Sequence, residues 1–196
     1  ESVSLFQPAK HQQLIELVLD RYLADYETPK PGVPRFLLND VVRYWRTMAV
    51  DYQAKRWEKL EPEWGLRYLK LIVSRKLSFA GALVPLFLCD SATVEHLRSE
   101  FEKPPLARLA ALHARLEPEL LDSLRVVFQI AEEFASLLQD EEFRREAKAI
   151  GGRTEIVPGS PFAKMRGRAR TLQEELEKIF FDSKVLRDKS RRYLSF

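Results

Sequence analysis

Apolar residues recur every three or four positions along most of this chain, which is the spacing of amphipathic helices. The predicted helices cover about residues 8–26, 34–59, 64–89, 91–101, 104–116, 118–140 and 162–181, with a short tail to Phe196. We leave open whether the sixth of them continues to Ile150. Thr154–Val157 is the one segment that alternates in the manner of a strand. The pattern therefore predicts an all-α fold, a bundle of about six to eight helices.

Proline and glycine mark the predicted boundaries. The run Glu27–Pro34 closes the first helix, Glu61–Glu63 separates the next two, and Pro85 predicts a kink. Ser91 has the chemistry of an N-cap, and Gly151 with Gly152 stops the sixth helix. We expect a bundle over residues 1–150, a loop over 151–161, and a C-terminal helix and tail over 162–196 packed on the bundle.

Polar side chains break the amphipathic pattern between Phe36 and Ser78. At helical spacing they form one stripe on each of two successive helices. The first stripe contains Asp40, Arg43, Thr47, Asp51 and Lys55, and the second contains Arg67, Lys70, Ser74 and Ser78. Because the rest of both circumferences is largely apolar, we expect both helices to be buried. Buried polar stripes must pair with each other or with a ligand.

Two interpretations of these stripes stay open, and both can hold at once. In the first, opposite charges form salt bridges between the helices and fix their register. In the second, the basic members converge on an anion, with Lys70 and Ser74 at i and i+4 offering an ammonium and a hydroxyl to a phosphate. The candidate nucleotide- or phosphate-binding residues are Lys70, Ser74, Arg43 and Arg67. The candidate supporting polar network is Asn39, Asp40, Asp51 and Lys55.

The composition of the chain restricts the class of protein and the compartment that we expect. The 196 residues are 45% apolar and 31% charged, enough for a substantial core, and a net charge of +3 does not require nucleic acid. A single cysteine, Cys89, excludes an internal disulfide and fits a reducing, cytoplasmic setting. We find no apolar run long enough for a membrane helix and no signal peptide. The chain starts at Glu1 rather than methionine, so we expect a fragment or a processed form.

Motifs for catalysis are missing from the sequence. There is no glycine-rich phosphate loop and no nucleophile elbow, and the three histidines with Cys89 lack metal-ligand spacing. Arg108 and His113 have the spacing found in helical ribonucleases of the HEPN type, but Leu109 stands where that family has a polar residue, so ordinary helix residues are favoured. Among the C-terminal basic residues only Tyr193 and Phe196 offer aromatic platforms, which favours a solvated surface and leaves nucleic-acid docking open.

Phe36–Tyr52, Trp64–Leu77 and the closing Arg191–Phe196 resemble the helical C-terminal portion of bacterial predicted nucleotidyltransferases of the polymerase-β-like superfamily. In that family an upstream α/β domain carries Gly-Ser and an Asp-x-Asp pair that bind divalent metal and a nucleoside triphosphate. This chain has no Asp-x-Asp, so no catalytic residue and no metal ligand can be carried over. Lys70 and Ser74 match in type and spacing the lysine and serine with which the helical domain reaches the triphosphate.

Two functions follow as expectations. The resemblance implies a nucleotide- or substrate-binding accessory domain of a nucleotidyltransferase, inert alone and partnered by the upstream domain in cis or on another chain. Magnesium and a nucleoside triphosphate are implied only for that missing catalytic domain. The alternative is a free-standing helical interaction or regulatory module whose polar stripes form an internal salt-bridge network.

Overall fold

The computed structural model describes residues 7–23, 32–57, 64–89 and 94–194, and within these ranges the chain is helical without a strand. The helices, in chain order, are α1 (Pro8–Leu23), α2 (Arg35–Trp57), α3 (Trp64–Lys70), α4 (Lys76–Phe87), α5 (Val94–Glu102), α6 (Pro105–Ala110), α7 (Pro118–Gln139), α8 (Glu141–Ala149), α9 (Pro161–Asp182) and α10 (Arg187–Leu194). A π-helical turn, Leu71–Arg75, joins α3 to α4 without a break. The all-α prediction is confirmed.

The continuous helix over residues 64–87, here called the central helix, supplies much of the core. Leu69, Val73, Leu86 and Phe87 are fully buried along it, as its nearly all-round apolar sequence predicts. Pro85 lies inside its last turn, and the helix ends two residues later at Phe87. Around it pack α2, α5, α6, α8 and α9, so the central helix is the element that positions its neighbours.

Two glycines allow other elements to approach the central helix closely. At Gly81 the backbone of α6 is so near that an added Cβ would lie 2.5 Å from the carbonyl oxygen of Pro105. At Gly65 an added Cβ would lie 2.5 Å from the carbonyl oxygen of Ala147 in α8. The Gly65 N–H also donates to the carbonyl of Ile150 at 3.0 Å, which ties the start of the central helix to the end of α8.

The C-terminal half forms an antiparallel support behind the central helix. α7 and α9 lie against each other along their length, joined at the surface by a bidentate pair in which Arg168 donates to both oxygens of Glu133 at 2.7 and 2.8 Å. α10 packs on α9, and the Lys189 ammonium donates to the carbonyl of Phe87 at the end of α4. The last helix is thereby tied to the central one.

Several predicted boundaries can be compared with the structure. The helix expected over 118–140 ends at Gln139, because the Asp140 carboxylate caps a separate α8 by accepting from the N–H groups of Glu142 and Phe143. Thr154 belongs to a short 3₁₀ turn, so the strand-like pattern there does not form a strand. The predicted N-cap Ser91, the predicted break Glu61–Glu63 and residues 27–31 of the predicted break Glu27–Pro34 lie outside the described residues; residues 32–34 of that break are non-helical and precede α2. No helix in the described ranges is long and apolar enough to cross a bilayer.

Candidate functional site

The polar stripe of α2 lies at the protein surface. Asn39, Arg43 and Asp51 are exposed and Asp40 is half-buried. The expectation of a buried stripe is therefore wrong for this helix. α2 buries only the face that carries Leu37, Leu38 and Val42, and large apolar residues elsewhere on it stay exposed, namely Phe36, Tyr44 and Val50. The side chain of Lys55 lies outside the described part of the structure.

Asp40 forms a small polar cluster with neighbours on α1 and α2. The Tyr22 hydroxyl donates to its carboxylate at 2.7 Å, and the Arg43 guanidinium lies 3.6 Å from its other oxygen. The hydrogen bond to Asp40, followed by burial, raises the pKa of Tyr22. The Asp40–Arg43 ion pair is an i, i+3 pair within one helix, so it does not fix the register between helices as the network interpretation required.

The second stripe straddles the π-helical turn, and this changes which residues align. A turn closed by i→i+5 hydrogen bonds is wider than an α-helical turn, so Arg75 moves toward the angular position of Lys70. Both side chains are exposed, whereas Ser74 is half-buried and Arg67 is half-buried one turn earlier. The regular i, i+4 geometry expected for Lys70 and Ser74 is therefore not the geometry of this segment.

A groove of about 840 Å³ lies between α1 and α2, with the central helix as its floor. Its α1 wall runs from His11 to Tyr22 and its α2 wall from Leu37 to Met48, each spanning about 16 Å at helical rise. The floor consists of Arg75, Ser78, Phe79 and Ala82, and α5 and α6 close the side beneath α1. From the two predicted stripes the groove collects Asp40 and Ser78, but Arg43, Arg67, Lys70 and Ser74 do not line it.

Aromatic contacts fix the register of the α2 wall against the floor. Trp45 stacks on Phe79 with ring centroids 5.2 Å apart, and Tyr52 lies against Tyr68 at 6.2 Å. From the first pair to the second, the residue number increases along α2 and decreases along the central helix, so the two helices are antiparallel. Arg75 is consequently level with Met48 and lies at the end of the groove away from the Tyr22–Asp40 hydrogen bond.

Most charged side chains along the groove are paired within the protein. Arg98 binds the carboxylates of Glu16 and Glu102, which ties α1 to α5. The buried Arg108 donates to the carbonyls of Phe101 and Lys103 at 3.2 and 3.0 Å, and its guanidinium stacks over the Phe101 ring. Arg75 lines the groove without a hydrogen bond or ion pair to any described residue.

The structure shows separate surroundings for Arg108 and His113, the two residues with the spacing found in HEPN-type ribonucleases. The Arg108 guanidinium binds the Phe101 carbonyl in the last turn of α5 and the Lys103 carbonyl just after it, where a cation is favoured by the exposed C=O groups and the helix dipole. His113 is exposed on the following 3₁₀ turn, Ala111–Ala114. One residue is buried and structural while the other faces solvent, so this arrangement does not form a shared site and favours the ordinary helix interpretation.

Lys76 is the first residue of α4 after the π-helical turn, and it does not line the groove. Its ammonium is half-buried near Glu177 of α9, and burial lowers its pKa more than that carboxylate raises it. Among the described residues no three His, Cys, Asp or Glu side chains come together as metal ligands.

No protein-family model, curated protein or solved structure matches this chain. The sequence does not predict the groove, because helical periodicity places α1 in the bundle without showing which neighbours it packs against. The sequence does contain one indication of the groove. The apolar residues of α1 cover more of its surface than a single core-facing side requires: Leu14, Leu17 and Val18 lie on one side, and Ile15, Leu19 and Tyr22 on another.

Proposed function

We propose that this chain is a helical interaction module that binds the apolar face of a partner helix in the groove between α1 and α2. The observation that carries the proposal is the shape of the groove. It is lined mainly by apolar and aromatic side chains between two helical walls, and its length corresponds to about three turns of an α-helix. Grooves of this kind accept residues at i, i+3, i+4 and i+7 of an amphipathic helix.

The exposed apolar residues at the rim supply a driving force for such binding. Val18 on one wall is 51% exposed and Tyr44 on the other is 63% exposed. Covering them removes apolar area from water on both sides of the inserted helix, roughly 1 kcal/mol for each side chain. Trp45 and Phe79, already stacked beneath, provide a preformed aromatic surface for the same helix.

Fluorescence anisotropy tests this proposal with a labelled helical peptide of about four turns that presents leucines at i, i+3, i+4 and i+7. Val18→Asp and Tyr44→Asp place a charge at the groove rim and are expected to weaken binding at least about tenfold, since a carboxylate must then be desolvated. Leu17→Asp is the matched control: Leu17 is 63% exposed but does not line the groove. Equal weakening in all three variants, or no binding by the wild type, would refute the proposal.

A second candidate function is the accessory domain of a nucleotidyltransferase. It is favoured by Lys70, an exposed ammonium without a bonding partner among the described residues and on the same side of the π-helical turn as Arg75. A cation in that position is available to a phosphate held by a neighbouring domain. The test is thermal unfolding with ATP or GTP plus magnesium. Ligand at a hundred times its dissociation constant adds about 2.7 kcal/mol. Lys70→Ala should abolish that gain.

A further inference from the structure

Resting on the helix-binding function proposed above, we infer that the partner helix is acidic and places a carboxylate against Arg75 at the Met48 end of the groove. The juxtaposition that leads to this inference is an exposed guanidinium without a described partner, on the floor of a mainly apolar groove whose other charged side chains are held within the protein. The occupant is thus an amphipathic helix whose apolar face ends in aspartate or glutamate.

The other charged side chains that line the groove are held by partners within the protein. Asp40 is engaged by Tyr22 and Arg43, and Glu102 is engaged by Arg98. The Arg98 guanidinium has a second carboxylate in Glu16. Arg108 is buried and is held by the carbonyls of Phe101 and Lys103. Among the described side chains that line the groove and carry a full charge at neutral pH, Arg75 is therefore the one without a hydrogen bond or an ion pair to another described residue.

The position of Arg75 defines where the acidic residue belongs. Arg75 is level with Met48, whereas Asp40 lies about two turns away toward the Tyr22 end. Ser78 follows Arg75 by three residues on the same helix and also lines the groove. A carboxylate at this end can accept from the guanidinium and from the Ser78 hydroxyl, while at the Asp40 end it would meet a carboxylate.

The same charges disfavour a basic helix. A lysine or arginine at the Met48 end would have to be desolvated beside Arg75, and like charges in a partly dehydrated groove repel. A concave groove with opposing walls also fits a cylinder better than the flat surface of a bilayer. These considerations select an acidic amphipathic helix over a basic one and over a lipid surface.

The experiment uses three labelled peptides that share one apolar face and differ in a single residue placed to reach Arg75: Glu, Gln or Lys. We expect the Glu peptide to bind wild-type protein about tenfold more tightly than the Gln peptide, as for a charge-assisted hydrogen bond, and the Lys peptide most weakly. Arg75→Glu should reverse the order of the Glu and Lys peptides. Lys70→Glu makes the same charge change on an exposed neighbour outside the groove and should leave the order unchanged.

The outcomes separate this inference from the proposed function. If all three peptides bind equally and Arg75→Glu changes nothing, the groove binds helices but the acidic preference is wrong. If none binds, the helix-binding function itself is wrong. Sedimentation of the free protein as a dimer that the peptide dissociates would assign the groove to a second copy. Preferential binding to vesicles containing phosphatidylserine would assign it to a lipid surface. Either result overturns the inference.

Discussion

Replacing Gly81 by alanine tests whether the central helix and α6 are as close as the structure places them. The new Cβ would lie 2.5 Å from the Pro105 carbonyl oxygen, 2.9 Å from its Cα and 3.0 Å from its carbonyl carbon. All three atoms are backbone, so no side chain can rotate away. The helices must instead separate, by about 0.9 Å or more if the closest contact is to become an ordinary one.

The expected cost follows from two opposing effects. Alanine in a helix interior is favoured over glycine by about 1 kcal/mol. Overpacking a close contact typically costs 1–3 kcal/mol, and a gap of about 0.5–1 Å along the rest of the interface forfeits a quarter to a half of each dispersion contact. We expect Gly81→Ala to lower the free energy of unfolding by about 2 kcal/mol, or the melting temperature by about 4–8 °C.

Gly167→Ala is the matched control, because Gly167 lies within α9 and an added Cβ there meets nothing within 4 Å. This variant gains the helix propensity alone and should be more stable by about 0.5–1 kcal/mol. Urea unfolding followed by circular dichroism measures both. A Gly81→Ala variant that is as stable as Gly167→Ala would show that α6 does not contact the central helix in this way.

Three further predictions concern contacts that hold the fold. Arg108→Lys loses the forked donation to Phe101 and Lys103 and should lower stability by about 2–3 kcal/mol in urea unfolding; an unchanged midpoint would contradict the buried geometry. Asp140→Ala removes the cap of α8 and should cost about 1 kcal/mol in the same assay, with Asp140→Asn close to wild type. The backbone N–H groups of Glu117 itself and of Lys184 lower the pKa of Glu117, so its ionised form stabilises the protein above pH 4.5 and this contribution is lost as the pH falls through the lowered pKa. In melting curves across acidic pH, Glu117→Gln should flatten this loss, and an identical pH profile would refute the contact.

Helix positions could be predicted from the sequence wherever local chemistry decides them. Ser160 followed by Pro161 begins α9 as capping rules require, with the Ser160 hydroxyl accepting from the N–H of Ala163 at 3.2 Å. Whether the helix that ends near Asp140 continues to Ile150 stays open at the sequence level because the apolar period runs across Asp140, and the hydrogen bonds to its carboxylate establish the break. The π-helical turn could not be predicted either, because the spacing of apolar residues in α3, which precedes it, is that of an ordinary α-helix.

The rotation of α2 about its axis could not be predicted from the sequence. For this reason the candidate site in the structure is the groove and not the predicted polar stripes. Phe36, Tyr44 and Val50 have the same apolar character as Leu38 and Val42, so periodicity alone cannot tell which of them face the core. That choice depends on the area that the central helix offers, which is a tertiary property. The expected anion-binding pair was built on an assumed buried face and a regular helix, and the structure provides neither.

The groove exists because α1 is attached to the fold at few points. α1 contributes only Leu19 and Leu23 to the buried core among its described residues, and it is held mainly against α5, in part by the Arg98–Glu16 ion pair. Among the described residues, the Tyr22–Asp40 hydrogen bond links it to α2 at one end. A helix attached in this way leaves the space beside α2 uncovered, while apolar residues on both walls still lack contacts. A partner helix lying in this space would complete the packing of α1, so binding and the stability of α1 are coupled.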